Sequence, residues 1–140
     1  AEAVAHEWPE GLGKPLVVCT GGEPLLQLDK PLIDRFHERG FEVAVETNGT
    51  QIAPKGIDWV CVSPKSTAEI VQRAGNELKF VYPQEDLDPE EFGGLNFDFF
   101  FLQPMDGPAL EHNTQLAVQY CLANPRWRLS LQAHKLLGIR

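Results

Sequence analysis

Positive charge is in short supply in this chain. Lys and Arg number 12 against 20 Asp and Glu, a formal net charge of −8. That balance argues against a nucleic-acid partner held through phosphate contacts. Long apolar runs are absent too. None approaches the roughly 20 residues that cross a bilayer, so no membrane partner is expected. The first residues lack a basic segment followed by an apolar one, and no secretory signal is expected. The glycine fingerprints of P-loop and dinucleotide-binding proteins do not appear. Nor does a sequence repeat, a low-complexity tract or a linker. Cysteine is sparse: Cys19, Cys61 and Cys121 are odd in number, far apart and set in apolar runs. They read as buried free thiols in a reducing cytoplasm, not as a metal site, which would want close spacing or polar loops. What remains is 140 residues, enough for one domain with a core.

A pattern of short apolar runs and helices fills that length. Leu16-Val17-Val18-Cys19 fits a strand buried on both faces. A helix starts near Asp29, which can cap it; Pro31 suits its first turn and Gly40 ends it. Further strands are expected at Glu42 to Glu46, Asp58 to Val62, Leu78 to Tyr82, Phe97 to Leu102 and Trp127 to Leu131. A helix is expected from about Ser66 to Arg73. Another, capped by Asn113, runs through Ala123 with Leu116, Ala117, Tyr120 and Cys121 inward. The acidic stretch Glu85 to Glu91 reads as a solvated helical turn plus loop. Strands alternating with helices predict an α/β protein with a parallel sheet. The pattern leaves open whether the sheet is a partial barrel or an open, doubly wound one.

Polar residues fall almost entirely just past the C-terminal ends of these strands. Thr20-Gly21-Gly22-Glu23-Pro24, Glu46-Thr47-Asn48-Gly49, Ser63-Pro64-Lys65, Gln103-Pro104-Met105-Asp106-Gly107-Pro108 and Gln132-Ala133-His134-Lys135 each follow one. Taken singly, these are ordinary features. Gly21-Gly22 and Asn48-Gly49 make turns, Ser63-Pro64-Lys65 makes a surface loop, and His134-Lys135 makes a solvated pair. Taken together they describe a pocket, because parallel α/β folds place ligands at that edge of the sheet. Gly21-Gly22 would lay bare backbone against a ligand, and Glu23 would accept from an ammonium group.

Thr20-Gly21-Gly22-Glu23-Pro24 resembles the GGE motif of radical S-adenosylmethionine (SAM) enzymes. The motif is short, but the ordered set is specific. Val18 to Pro24, Glu46 to Gly49, Val62 to Lys65, Asn76 to Lys79, Gln103 to Pro108 and the closing Gln132-x-His134-Lys135 together resemble 7-carboxy-7-deazaguanine synthases. The resemblance covers residues 16–140.

The resemblance implies a partial (β/α) barrel of the radical SAM type with mainly parallel strands. It implies a lyase of queuosine and deazapurine biosynthesis in the cytoplasm. In that family a [4Fe-4S] cluster reduces SAM, and the resulting radical takes a hydrogen atom from 6-carboxy-5,6,7,8-tetrahydropterin. Ring contraction and loss of ammonia then give 7-carboxy-7-deazaguanine. Mg²⁺ assists, an external donor such as flavodoxin supplies electrons, and the proteins are usually homodimers. By position, Gly21, Gly22 and Glu23 would hold the methionine end of SAM, and Ser63, Pro64 and Lys65 its adenosine side. Gln103, Pro104, Met105 and Asp106 would close over it. Thr20, His134 and the carboxylate of Arg140 would face the pterin, which makes a C-terminal extension suspect. Two departures stand out. Ala133 occupies a position where relatives usually have Thr. The three-cysteine cluster motif, which lies well before the GGE motif in the family, is not here. Residues 1–140 are therefore expected to be a single domain, the C-terminal part of a radical SAM core without its N-terminal cluster-binding segment. Alone they would be inactive. The competing reading is a truncated, catalytically silent domain kept for SAM binding or dimerisation.

Overall fold

The computed structural model describes residues 1–8, 13–65 and 69–139. Six strands run through them: β1 (Leu16–Cys19), β2 (Glu42–Thr47), β3 (Trp59–Val62), β4 (Ala74–Tyr82), β5 (Asn96–Pro104) and β6 (Trp127–Leu129). The helices are α1 (Glu2–Glu7), α2 (Lys30–Glu38), α3 (Leu110–Ala123) and α4 (Ala133–Leu137). The strands form one sheet in chain order, and every neighbouring pair is parallel. A doubly wound sheet reverses its order partway. This one does not, and right-handed crossovers advancing in one direction keep the connections on one face. The sheet is therefore wound like a partial barrel.

The covered face holds the core. Under α2, Ile33 and Phe36 pack with Val43 and Val45. Under α3, Ala117 packs with Val62, Leu78, Phe80, Phe100, Leu102 and Trp127. The other face is open. Leu16 and Val18 are 47% and 48% exposed, so β1 is not buried on both faces, as its unbroken apolar run suggests. Trp59 stacks on Phe99 at 5.9 Å, and Phe99 lies 6.4 Å from Phe101.

The cap of α2 is as expected: Asp29 Oδ1 accepts from the Leu32 N–H at 3.0 Å. Three elements differ from the sequence reading. Ser66, Thr67 and Ala68, the start of the helix expected to Arg73, lie outside the described residues, and residues 69–73 are neither helix nor strand. They form a strap instead. The Val71 and Gln72 N–H groups both donate to the Gly49 carbonyl, and Ile70 packs against the Gly49 backbone. β4 begins at Ala74, four residues early, because the polar Asn76 and Glu77 hide it; Asn76 Oδ1 accepts from the Val60 N–H at 2.9 Å in place of a ladder bond. Asn113 does not cap α3. It is buried one turn inside, where its Nδ2 donates to the Met105 carbonyl at 2.9 Å.

Candidate functional site

The strand C-termini enclose a cavity of about 540 Å³. Each contributing loop is built by local chemistry. After β1, Gly21 and Gly22 adopt φ of +82° and +49°, and a Cβ added at either would meet nothing within 4 Å. Their backbone polar groups are thus unshielded at the cavity wall. Glu23 turns the other way. Its Oε1 accepts from Thr47 Oγ1 at 2.6 Å and from the Leu25 N–H at 3.1 Å, and its Oε2 accepts from the Asn48 N–H at 2.8 Å. The carboxylate staples the β1 loop to the β2 loop, with most of its acceptor capacity used. It lies on a shallower groove beside Cys19 and Pro24, off the main cavity.

The β2 end supplies Glu46, Thr47 and Asn48 to the wall. The β3 end supplies Ser63 and Lys65, whose Nζ donates to Ser63 Oγ at 3.2 Å. Between them Pro64 is fully buried, and its carbonyl accepts from Gln84. From β5 comes Gln103, and from the β6 end Ser130, Gln132 and His134. Asp106 pairs with Lys135 across the two loops. That ion pair, with the Gly107 N–H, holds the Asp106 carboxyl below the ordinary carboxylate range.

Of the residues expected from sequence, Thr20, Gly21, Gly22, Ser63, Lys65, Gln103 and His134 meet on this one cavity. Glu23, Pro64, Pro104, Met105 and Asp106 sit at the same edge of the sheet but do not line it. Arg140 lies outside the described residues. Sequence reading gave no role to Lys79, which lines the cavity from within β4 and donates to Glu46 Oε1 at 2.7 Å. The signal was available: a lysine inside Leu78–Tyr82 is a charge where an apolar strand should be. Partial burial opposes that charge, but the bond to Glu46, with Glu77 close by, holds the Lys79 ammonium above its ordinary pKa. The Cys61 thiol, pushed up to about 12 by burial and by Glu77, stays protonated at neutral pH.

SAM and a metal cluster make different demands, and the site meets one of them. Pockets of about 300–1,000 Å³ suit ligands of this size, and bare glycine backbone beside two lysines suits one carrying an amino acid and a nucleoside. Cluster binding is not served. The three cysteines are free and sit on β1, β3 and α3, and the described residues contain no grouping of three or more His, Cys, Asp or Glu fit to hold a metal ion.

The fold and cavity define an α/β partial barrel of the radical SAM type. No family model matches the chain. Curated relatives do. It is 60% identical over 139 residues to 7-carboxy-7-deazaguanine synthase of Caulobacter vibrioides, covering 99% of this chain and 66% of that one. Against the synthase of Bradyrhizobium diazoefficiens it is 58% identical, covering all of this chain and 67% of that one. The crystal structure of QueE from Escherichia coli superposes with a TM-score of 0.70 at 31% identity, over 94% of this chain and 61% of that one. The chain belongs to the 7-carboxy-7-deazaguanine synthase family, and it spans about two thirds of the length of these curated relatives.

Proposed function

We propose that these residues are the SAM-binding part of a synthase that converts 6-carboxy-5,6,7,8-tetrahydropterin to 7-carboxy-7-deazaguanine with release of ammonia. The observation that carries this reading is the convergence of Thr20, Gly21, Gly22, Ser63, Lys65, Gln103 and His134 on one cavity, in a chain 60% identical to a relative of that name. Bound SAM supplies the radical that begins such chemistry. The chain's own groups hold and shield it. Gly21 and Gly22 offer backbone N–H and C=O groups to its amino-acid end, and Glu23 fixes the shape of that loop. Lys65 and Ser63 offer a cation and a hydroxyl to the rest. Pro104 and Met105 lead into the Asp106–Lys135 pair, which ties the β5 loop to α4 at the cavity rim. Thr20 and His134, on the same cavity wall, face the pterin.

On this reading, ligands for the [4Fe-4S] cluster and for Mg²⁺ are not among these residues, which form part of a larger radical SAM core. The complete enzyme is a cytoplasmic homodimer served by an electron donor of the flavodoxin kind. Among the described residues no helix is long and apolar enough to cross a membrane. The scattered thiols favour a second statement: this chain alone binds SAM but does not cleave it.

Titration of the ¹⁵N-labelled chain with SAM tests the site. Amide shifts at Gly21, Gly22, Ser63 and Lys65 are expected; shifts confined to other surfaces would overturn it. After anaerobic reconstitution with iron and sulfide, no stoichiometric cluster and no 5′-deoxyadenosine are expected. Either product would overturn the statement about the chain alone.

A further inference from the structure

Two lysines line the cavity, and they are held differently. Lys65 is exposed, and among the described residues its ammonium donates to the hydroxyl of nearby Ser63. Lys79 projects from inside the sheet. Its side chain is 16% exposed, and its ammonium lies 2.7 Å from Glu46 Oε1, two strands away. Between the two strands lies β3, which carries Cys61. Register sets this up, since Glu46 pairs with Cys61 and Cys61 with Glu77, with Lys79 two residues further along the same face. Cys61 is 3% exposed and small, so the lysine stem can pass over it. Among the described residues, Lys79 is the only recorded hydrogen-bond partner of the Glu46 carboxylate. The bond occupies Oε1 and leaves the second carboxylate oxygen of this cavity-lining residue for a ligand.

We propose that Lys79 is a positioning residue: it fixes Glu46 on the cavity floor as a preoriented acceptor for N–H or O–H donors of the ligand. The inference rests on the reading of this cavity as a SAM site. A half-exposed glutamate on a flexible stem would otherwise sample several rotamers and lose them on binding. Anchoring one oxygen removes that freedom beforehand, which strengthens binding without adding a contact to the ligand. The ammonium itself is turned to Glu46, so its effect on affinity passes through that carboxylate.

The test is a double-substitution cycle on the chain, read by SAM affinity in NMR titration and by melting midpoint. Lys79→Met keeps the length of the stem and removes the charge. It is expected to fold and to bind SAM weaker by about tenfold, the equivalent of one charge-assisted hydrogen bond. Glu46→Gln is expected to weaken binding comparably. The double substitution is expected to be no weaker than Glu46→Gln alone, because Lys79 acts through Glu46. Lys79→Arg, which can still bond the carboxylate, should restore most of the affinity. Should Lys79→Met not fold, Lys79→Gln replaces it. Unchanged affinity on loss of the charge, or losses that simply add in the double variant, would overturn the inference while leaving the SAM site intact. No SAM-dependent shift in the unsubstituted chain would overturn the cavity reading, and this inference with it.

Discussion

The two faces of the sheet are made by the same strands and obey different rules. On the covered face Val43, Val45, Val62, Leu78, Phe80 and Leu102 are fully buried beneath helices and loops. On the open face their immediate neighbours are Glu46, Ser63, Lys79 and Gln103, all lining the cavity. One face is selected for volume and the other for chemistry, and each strand alternates between them. Stability and ligand binding should therefore separate by residue parity along a single strand.

The sharpest break in that comparison is Phe80→Ala. Phe80 is fully buried and rings Phe92 and Trp127 at 5.5 and 6.3 Å. The substitution is expected to cost about 3–5 kcal/mol, read as a large fall in the urea midpoint. Next come two glycines at the cavity edge. At Gly49, with φ +83°, an added Cβ would meet Val62 Cγ1 at 2.8 Å. Gly49→Ala should destabilise by about 3 kcal/mol through overpacking and left-handed backbone together. Gly22 also has positive φ but open space around it, so Gly22→Ala should cost only about 1 kcal/mol. Gly22→Val should weaken SAM in titration through the bulk it adds at the ligand wall. Equal melting shifts at the two glycines would erase the distinction between packing and ligand glycines.

The last effect concerns Cys61 and is confined to alkaline pH. Its thiol is raised to about 12 in the folded chain, against about 8.5 for a free thiol. The unfolded chain loses that proton first as pH rises, so the stability tied to the neutral thiol is complete below about pH 8.5 and is lost progressively towards 12. Cys61→Ala should flatten that part of the stability curve. In thiol-labelling experiments at pH 8, Cys19 and Cys121, which are half-buried, should react before Cys61.

Legibility in the sequence followed the same division. The covered face was readable because apolar runs such as Phe100-Phe101-Leu102 announce strands, and Asp29, Pro31 and Gly40 announce the limits of α2. The cavity was readable as a place, from polar residues following strands. It was less readable in detail. Glu23 looks like a ligand group in one dimension, yet in space it is consumed by Thr47 and Asn48. Lys79 looks like a blemish in a strand and turns out to line the cavity. The strap at residues 69–73 was hidden because its bonds go to the Gly49 carbonyl, about twenty positions away, and local propensity carries no trace of such a partner.

The sequential strand order also bears on how quickly the chain can find its fold. Paired residues are never far apart along the backbone: Leu16 meets Glu42, Ala44 meets Trp59, Cys61 meets Glu77, Gly75 meets Phe97 and Phe100 meets Trp127. Loop-closure entropy grows only with the logarithm of length, and spans this similar differ by less than about 0.6 kcal/mol. No strand must wait for a distant one to arrive, as the central strands of a doubly wound sheet do. The sheet can grow from any nucleus by adding the next neighbour on either side. Its contact order is low for a parallel architecture, and its folding rate should lie with mixed α/β domains rather than with slow, non-local β folds.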